Sequence, residues 1–322
     1  MSVEGSDVIE YRPFRNSDPP ALVDVWNAAI TGPRAVTLRT VTLFEYFTFA
    51  KIYFDYAGLV VATDNGKIVG FAHAAFGPNA NGSGLDCTTG VICVLSVVPS
   101  HQRKGIGTQL LRRVEDYLQS RGATRIVFGS QAPLNPFLFG LHGGCTNVGV
   151  LNGETALMAF LTKQGYVPGR QVGIFQRSLQ RFTIPNDPRF PKILEQYNIQ
   201  NGWLRRPGWW RECVLGPVEA VEYRLVDKAK GMTAARLVLW DMETFGIHWN
   251  TPYVGVVDLV VEPSLRRQGL AKCLMSTVLK HLRDKSFLHF EASADLNDAA
   301  SAGLMKALEF TQAEAGTAYI KK

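Results

Sequence analysis

Leu95-Ser96-Val97-Val98-Pro99-Ser100-His101-Gln102-Arg103-Lys104-Gly105-Ile106-Gly107 can be laid without a gap on Leu259-Val260-Val261-Glu262-Pro263-Ser264-Leu265-Arg266-Arg267-Gln268-Gly269-Leu270-Ala271, 164 residues further along the chain. Each copy reads as an apolar strand closed by proline, a short basic and polar loop with glycine, and an amphipathic helix, over 108–120 in the first copy and 272–285 in the second. Internal self-similarity of this kind means two homologous domains in tandem. The boundary falls near 182, giving units of 1–181 and 182–322.

Around the first copy the elements follow the order βααβββαβαβ. Strands are predicted over 8–12, 59–63, 67–76, 90–98, 124–128 and 172–179, the last closing the unit, and helices over 19–29, 42–54, 108–120 and 154–164. Asp64-Asn65-Gly66 is a hairpin signal, because Asn and Gly tolerate the positive φ that such turns need. The stretch 182–211, with Pro185, Pro188, Pro191 and Pro207, interrupts both helix and strand patterns and reads as a linker. Beyond it strands are predicted over 220–225, 234–240, 255–261 and 287–292 and a further helix over 297–308, so the second copy lacks full-length versions of the first two helices.

The chain has 322 residues, 46% hydrophobic and 19% charged, long and apolar enough for about two domains, each with a core. That excludes a disordered or fibrous protein. No apolar run approaches the ~18 residues a membrane span needs, and residues 1–10 carry acids where a secretory signal begins basic and continues apolar; a cytoplasmic protein without a membrane partner is expected. Five cysteines at irregular spacing, with no CxxC pair, are expected to be reduced thiols. Six scattered histidines form no HExxH or His-x-His pattern, so no metal is expected. The net charge of +6 is spread evenly, 15 basic against 12 acidic side chains up to residue 180 and 19 against 16 after it. An even, mild excess suits small phosphorylated anions at least as well as a nucleic-acid backbone, which usually meets a basic stripe, and no nucleic-acid partner is expected. The oligomeric state is left open.

The loop from Gln102 to Gly107 opens directly onto a helix, so unpaired backbone N–H groups and the positive end of the helix dipole converge on one point. That arrangement is a phosphate cradle: the glycines let an anion approach the amides, and Arg103 and Lys104 add charge at the rim. One isolated loop of this type is more often an ordinary strand-to-helix turn. Gly107 continues into Thr108-Gln109-Leu110 without the third glycine of a dinucleotide fingerprint, and no GxxxxGK[ST] occurs, which excludes Rossmann and P-loop readings.

The order L-x-V-x-P, then [QR]-x-x-G-x-[GA] and a helix, resembles the GNAT superfamily of N-acetyltransferases. Leu95, Val97, Pro99, Gln102, Gly105 and Gly107 match it, as do Leu259, Val261, Pro263, Arg266, Gly269 and Ala271, and two full matches in register lift the likeness above coincidence. The resemblance implies an α/β (α+β) fold, two tandem domains each with a mixed, mostly antiparallel sheet flanked by helices, and acetyl-CoA as acyl donor. It implies that the pantetheine arm pairs like an extra strand with Leu95, Ser96 and Val97, and that the pyrophosphate sits on the amides of Gln102, Arg103, Lys104, Gly105, Ile106, Gly107 and Thr108. The same roles carry to Leu259 and Val261 and to Arg266, Arg267, Gln268, Gly269, Leu270 and Ala271. The family's last helix usually carries a Tyr that protonates the departing thiolate. Here Leu161 and Met305 stand at those positions, so a water or another hydroxyl is expected to protonate a thiolate whose pKa resembles a cysteine's, about 8.5.

A general base must take a proton from the attacking ammonium. The candidates are His142 in the first copy and Asp258 and Glu291 in the second, where a solvated or paired strand carboxylate is an equal alternative. His73, inside an apolar strand, reads as a core residue. His142 is singled out by its loop, 131–144, where the second copy has only 293–296, and long structured loops are often functional. Phe137 and Phe139 are read as walls of an acceptor pocket, in competition with a hydrophobic lid packed on the second domain. The expected reaction moves an acetyl group directly to a primary amine of a small molecule or peptide in the first copy. Catalysis in the second copy through Asp258 or Glu291, and a non-catalytic acyl-CoA-binding regulator, are the alternatives.

Overall fold

The computed structural model describes residues 9–204, 208–216 and 218–322. Residue 8, where the first predicted strand begins, and Pro207 of the linker stretch lie outside the described residues. In chain order the elements are β1 (Ile9–Pro13), α1 (Pro19–Ala29), α2 (Thr42–Phe44, continued as a wider helical turn over Glu45–Phe49), β2 (Leu59–Asp64), β3 (Lys67–Pro78), β4 (Leu85–Val97), α3 (Ile106–Ser120), β5 (Arg125–Phe128), β6 (Val150–Leu151), α4 (Thr155–Lys163) and β7 (Tyr166–Ser178). They continue as α5 (Phe190–Gln196), β8 (Tyr197–Trp203), α6 (Trp209–Leu215), β9 (Ala220–Asp227), β10 (Thr233–Asp241), α7 (Glu243–Trp249), β11 (Tyr253–Val261), α8 (Leu270–Asp284), β12 (His289–Asp295), α9 (Ala299–Ala307) and β13 (Thr311–Lys321).

All described strands join one sheet, in the order β1-β2-β3-β4-β5-β13-β7-β12-β11-β10-β9-β8, with β6 paired to β13. Pairing is antiparallel except between β4 and β5 and between β11 and β12, each bridged by a helical crossover. The centre of the sheet departs from the sequence reading. The strand β7 that was expected to close the first unit does not pair with β5, because β13 lies between them. On its other edge β7 pairs with β12, from His289↔Ser178 to Asp295↔Val172. Each copy thus supplies the strand that closes the other. The sequence pattern marks no strand at 311–321, because Ala313, Ala315, Gly316 and Ala318 give no large-and-polar alternation. Small residues are required there: a Cβ on Gly316 would lie 2.4 Å from the Val148 carbonyl oxygen.

Helices cover the sheet unequally. In the first copy, Ile106, Leu110, Val114 and Leu118 of α3 pack on Val60, Ala62 and Ile92, while Leu22, Trp26 and Phe44 cover Val61, Phe71 and Val94 on the opposite face. In the second, α8 covers one face through Leu274, Val278 and Leu282. On the other face the seven-residue α6 stands where the first copy has α1 and α2, and the first copy's own loop finishes the cover. Phe139 lies 5.3 Å from Trp240, and the Trp240 indole N–H donates to the Cys145 carbonyl at 3.0 Å. Phe137, Phe139 and Leu141 are 1%, 3% and 0% exposed, each contributing about 1.5–3 kcal/mol of burial.

Three local readings are corrected. The helix expected over 42–54 ends at Phe49, because Phe49 and Phe54 both pack on Phe14, at 4.9 and 5.3 Å; five residues along a regular helix they would point about 140° apart. β4 begins at Leu85 rather than at 90. The linker stretch 182–211 contains α5, in whose first turn Pro191 is tolerated, and β8, an edge strand whose mostly exposed residues lack an apolar stripe. No helix among the described residues is long and apolar enough to cross a membrane.

Residues 1–181 expressed alone lack β13 and leave the edges of β5 and β7 unpaired. They are expected to give no sharp thermal transition by circular dichroism, whereas co-expression with 182–322 should restore a single complex on gel filtration.

Candidate active site

The site begins with a one-residue irregularity. β4 pairs with β5 only over Thr89–Ile92, and against β3 the register jumps from Ala74↔Ile92 to His73↔Val94, leaving Cys93 as the extra residue of a bulge. A bulge bends and twists its strand, and from Cys93 onward β4 turns away from β5 with its edge free. The second copy repeats this at the same offset: β11 pairs with β12 only over Tyr253–Gly255, and Val257 is the extra residue between Val256 and Asp258.

The loop after each strand is built alike. Arg103 and Gly105 take φ of 62° and 83°, Arg267 and Gly269 take 67° and 89°, the left-handed region that glycine enters without strain. Gln102 Nε2 donates to the Val97 carbonyl at 2.9 Å and Arg266 Nε to the Val261 carbonyl at 3.3 Å, closing each loop on its strand. Among the described residues, the amides from Arg103 to Thr108 have no backbone or side-chain acceptor outside the helix itself. A Cβ on Gly105 would meet nothing within 4 Å, so open space faces these donors, the requirement for a diphosphate on a helix start.

A cavity of about 1110 Å³ runs from this cradle along the free edge of β4. Leu95, Ser96, Val97, Gln102, Arg103, Gly105, Gly107 and Thr108 line it. Lys104 stands exposed outside that lining, and the Ile106 side chain is 1% exposed in the core, where it anchors the helix. At the opposite end are Trp26, Ser130, Leu138, His142, Asn147 and Glu154. His142 Nε2 lies 3.6 Å from Glu154 Oε1, and Glu154 is itself fixed by accepting the Leu151 N–H at 2.7 Å. The loop is held in place by the Gly143 N–H donating to the Arg34 carbonyl at 2.8 Å and by an Ala35↔His142 bridge. Among the described residues, the buried side-chain oxygens of Ser96 and Asn147 on this lining have no partner, and Ser130 hydrogen-bonds the Cys93 thiol. Glu154, Ser130 and Asn147 escaped the sequence reading because nothing in their spacing separates them from a helix cap, a strand end and a loop polar residue.

The remaining candidates lie elsewhere. Phe137 and Phe139 are core residues, not pocket walls; Leu138 between them faces the cavity. His73 is stacked on Phe137 at 4.3 Å, and burial holds its pKa down at about 3, so it stays neutral. Leu259 and Val261 are half-buried, Leu270 is core, and Arg266, Arg267 and Gln268 are exposed around Gly269 and Ala271. Asp258 is paired with Arg211 and, at 2.7 Å, with Arg236. Glu291 is 0% exposed. One oxygen accepts from Arg34 at 2.5 Å and Gln176 at 2.9 Å, the other from the Cys145 amide at 2.8 Å. Every donor is a protein group, so this carboxylate clamps the His142 loop and the exchanged strand β7 to the second copy.

A bulged strand that parts from its neighbour above an amide cradle is built here twice, once in each half of the chain. The sequence model of the Acetyltransferase (GNAT) family matches residues 27–142 and 195–310, more than half of the chain, which belongs to that family. Among solved structures, the GCN5-related glucosamine N-acetyltransferase region of a fungal multi-domain GH3 β-N-acetylglucosaminidase superposes with a TM-score of 0.72 at 17% identity, covering 98% of this chain and 38% of that one. A tandem GNAT protein from the clavulanic acid biosynthesis pathway gives 0.67 at 15%, covering 97% and 98%. A GCN5-related N-acetyltransferase from Sphaerobacter thermophilus gives 0.61 at 14%, covering 97% and 95%. At these identities the likeness is one of fold, and the present chain spans 38% of the fungal enzyme's length. No curated protein matches the sequence.

Replacing Glu291 by alanine strands the Arg34 charge and the Cys145 amide in the core, and is expected to cost about 3–5 kcal/mol in urea unfolding. The double change Glu291→Leu with Arg34→Met should cost less than Glu291→Ala alone.

Proposed function

We propose that the first copy moves an acetyl group from acetyl-CoA directly to a primary amine of a small-molecule or peptide acceptor. The observation that carries this reading is the single cavity joining the open cradle at Gly105 to the His142–Glu154 pair. Acetyl-CoA supplies an activated thioester. The chain supplies the rest: the amides from Arg103 to Thr108 hold the diphosphate, and the free edge of β4 at Leu95 to Val97 accepts the amide-bearing arm as an added strand. His142 takes the proton from the attacking ammonium, and Glu154 stabilises the imidazolium that results. The Ser96 hydroxyl on the cavity lining donates a hydrogen bond to the departing thiolate where Leu161 replaces the family's Tyr, and water supplies the proton that neutralises it.

Direct transfer is favoured over an acyl-enzyme. Cys93 is the cysteine on the lining, and burial pushes its thiol up to about 12. It is therefore protonated at neutral pH, and the thiolate is the nucleophilic form. Two structural neighbours, a glucosamine N-acetyltransferase region and a tandem GNAT protein of a biosynthetic pathway, support metabolite amines as the first acceptors to screen.

Acetyl-CoA is expected to raise the melting temperature of the wild type, and Gly105→Glu, which places a carboxylate in the cradle, should abolish the rise. With a panel of primary amines and thiol release as readout, His142→Ala should lower kcat/KM for the acceptor by about 10²–10⁴ while leaving the CoA dissociation constant within about threefold. Binding without turnover by any amine would instead favour an acyl-CoA-binding regulator.

Mass spectrometry after incubation with acetyl-CoA alone at pH 7.5 should find Cys93 unacetylated. A stable acetyl adduct there would replace direct transfer by a two-step route.

A further inference from the structure

The two cradles share a strand bulge, two positive φ angles and the side-chain latch on the strand carbonyl, yet differ in what lies over the glycine. Above Gly105 there is open space, and the residue is exposed. Above Gly269 a Cβ would meet the Arg189 guanidinium, with its carbon at 3.0 Å and its nitrogens at 3.1 and 3.2 Å. Arg189 belongs to the stretch that joins the two copies. It is locked there by Asp187, which accepts from Arg189 Nε at 2.8 Å, Nη2 at 2.6 Å and the Arg189 backbone N–H at 3.2 Å. The same carboxylate accepts from Lys272, in the first turn of α8, at 3.2 Å, and the Lys272 ammonium lies 5.9 Å over the ring of Phe190. Asp187 is 6% exposed at its side chain, and the Arg189 hydrogen bonds hold its carboxyl well below the usual carboxylate range.

An anion therefore already sits between the two cations at this helix start, and the half-exposed Arg189 guanidinium stands over Gly269, where the first cradle is open. We propose that the segment Asp187 to Phe190 is the built-in occupant of the second cradle, so that the protein takes one CoA per chain, at the first copy, and the second cradle anchors the connection between the copies. This rests on the reading that the first cradle binds CoA. It explains why both loops keep the same backbone: one uses its geometry for a ligand, the other for the chain itself. The same contacts have a rival in which Arg189 is a phosphate ligand of a working second site, and the two differ in what removing Arg189 does.

Calorimetric titration with CoA decides between them. The wild type is expected to bind one equivalent, and Gly105→Glu to bind none. In the Gly105→Glu background, adding Arg189→Gly should open the second cradle and restore one equivalent, at least about tenfold tighter than the parent variant. Asp187→Asn in the same background, which releases Arg189 without shortening it, should restore binding as well, with folding of each variant checked by its thermal transition. Two equivalents on the wild type overturn the proposal. So does a Gly105→Glu/Arg189→Gly variant that is folded and binds no tighter than Gly105→Glu, and so does recovery with Asp187→Asn but not with Arg189→Gly, which makes Arg189 a ligand. A wild type that binds no CoA, together with an Arg189→Gly variant that binds one, leaves the occupant in place and removes the first-copy reading instead.

Discussion

The ladder between β7 and β13, from Thr311↔Gln176 to Lys321↔Tyr166, makes the two halves of the chain one sheet. Every other feature depends on it. Because β13 separates β5 from β7, neither half can complete its sheet from its own residues, and a backbone edge left unpaired in the middle of a covered sheet is costly. The exchange also sets side-chain size at the centre. Gly149 and Gly316 lie where backbones approach so closely that a Cβ would come within about 2.5 Å of a carbonyl oxygen.

With the halves joined, the second copy becomes a platform for the first. Its sheet face lacks long helices, and the loop over 131–149 covers it with Phe139, Leu141 and Cys145. The apolar residues of that loop are spent on this packing, while Leu138, His142 and Asn147 turn toward the cavity. Phe137 and Phe139 thus belong to the packed lid, and the cavity lining is made by other side chains of the same loop. Glu291 and Arg34 secure the arrangement with a buried pair whose partners come from three separated parts of the chain. Removing that pair's water makes each remaining hydrogen bond obligatory, which suits a fixed platform and leaves no oxygen of Glu291 for proton transfer.

Sequence alone determined the duplication, the two strand–loop–helix units and the glycines of both cradles. These are local: a left-handed φ and a helix start depend on neighbouring residues, and so recur at an offset of 164. It also placed His142 in a loop set apart by its length. What only the tertiary structure decided is long-range. Whether a cradle faces space or Arg189, whether a strand carboxylate meets solvent or Arg34, and which copy's sheet a closing strand enters depend on residues far apart in the chain. β13 shows the limit: Ala313, Ala315, Gly316 and Ala318 leave it without an apolar stripe over most of its length, since its place between two backbones selects for smallness rather than for hydrophobic alternation.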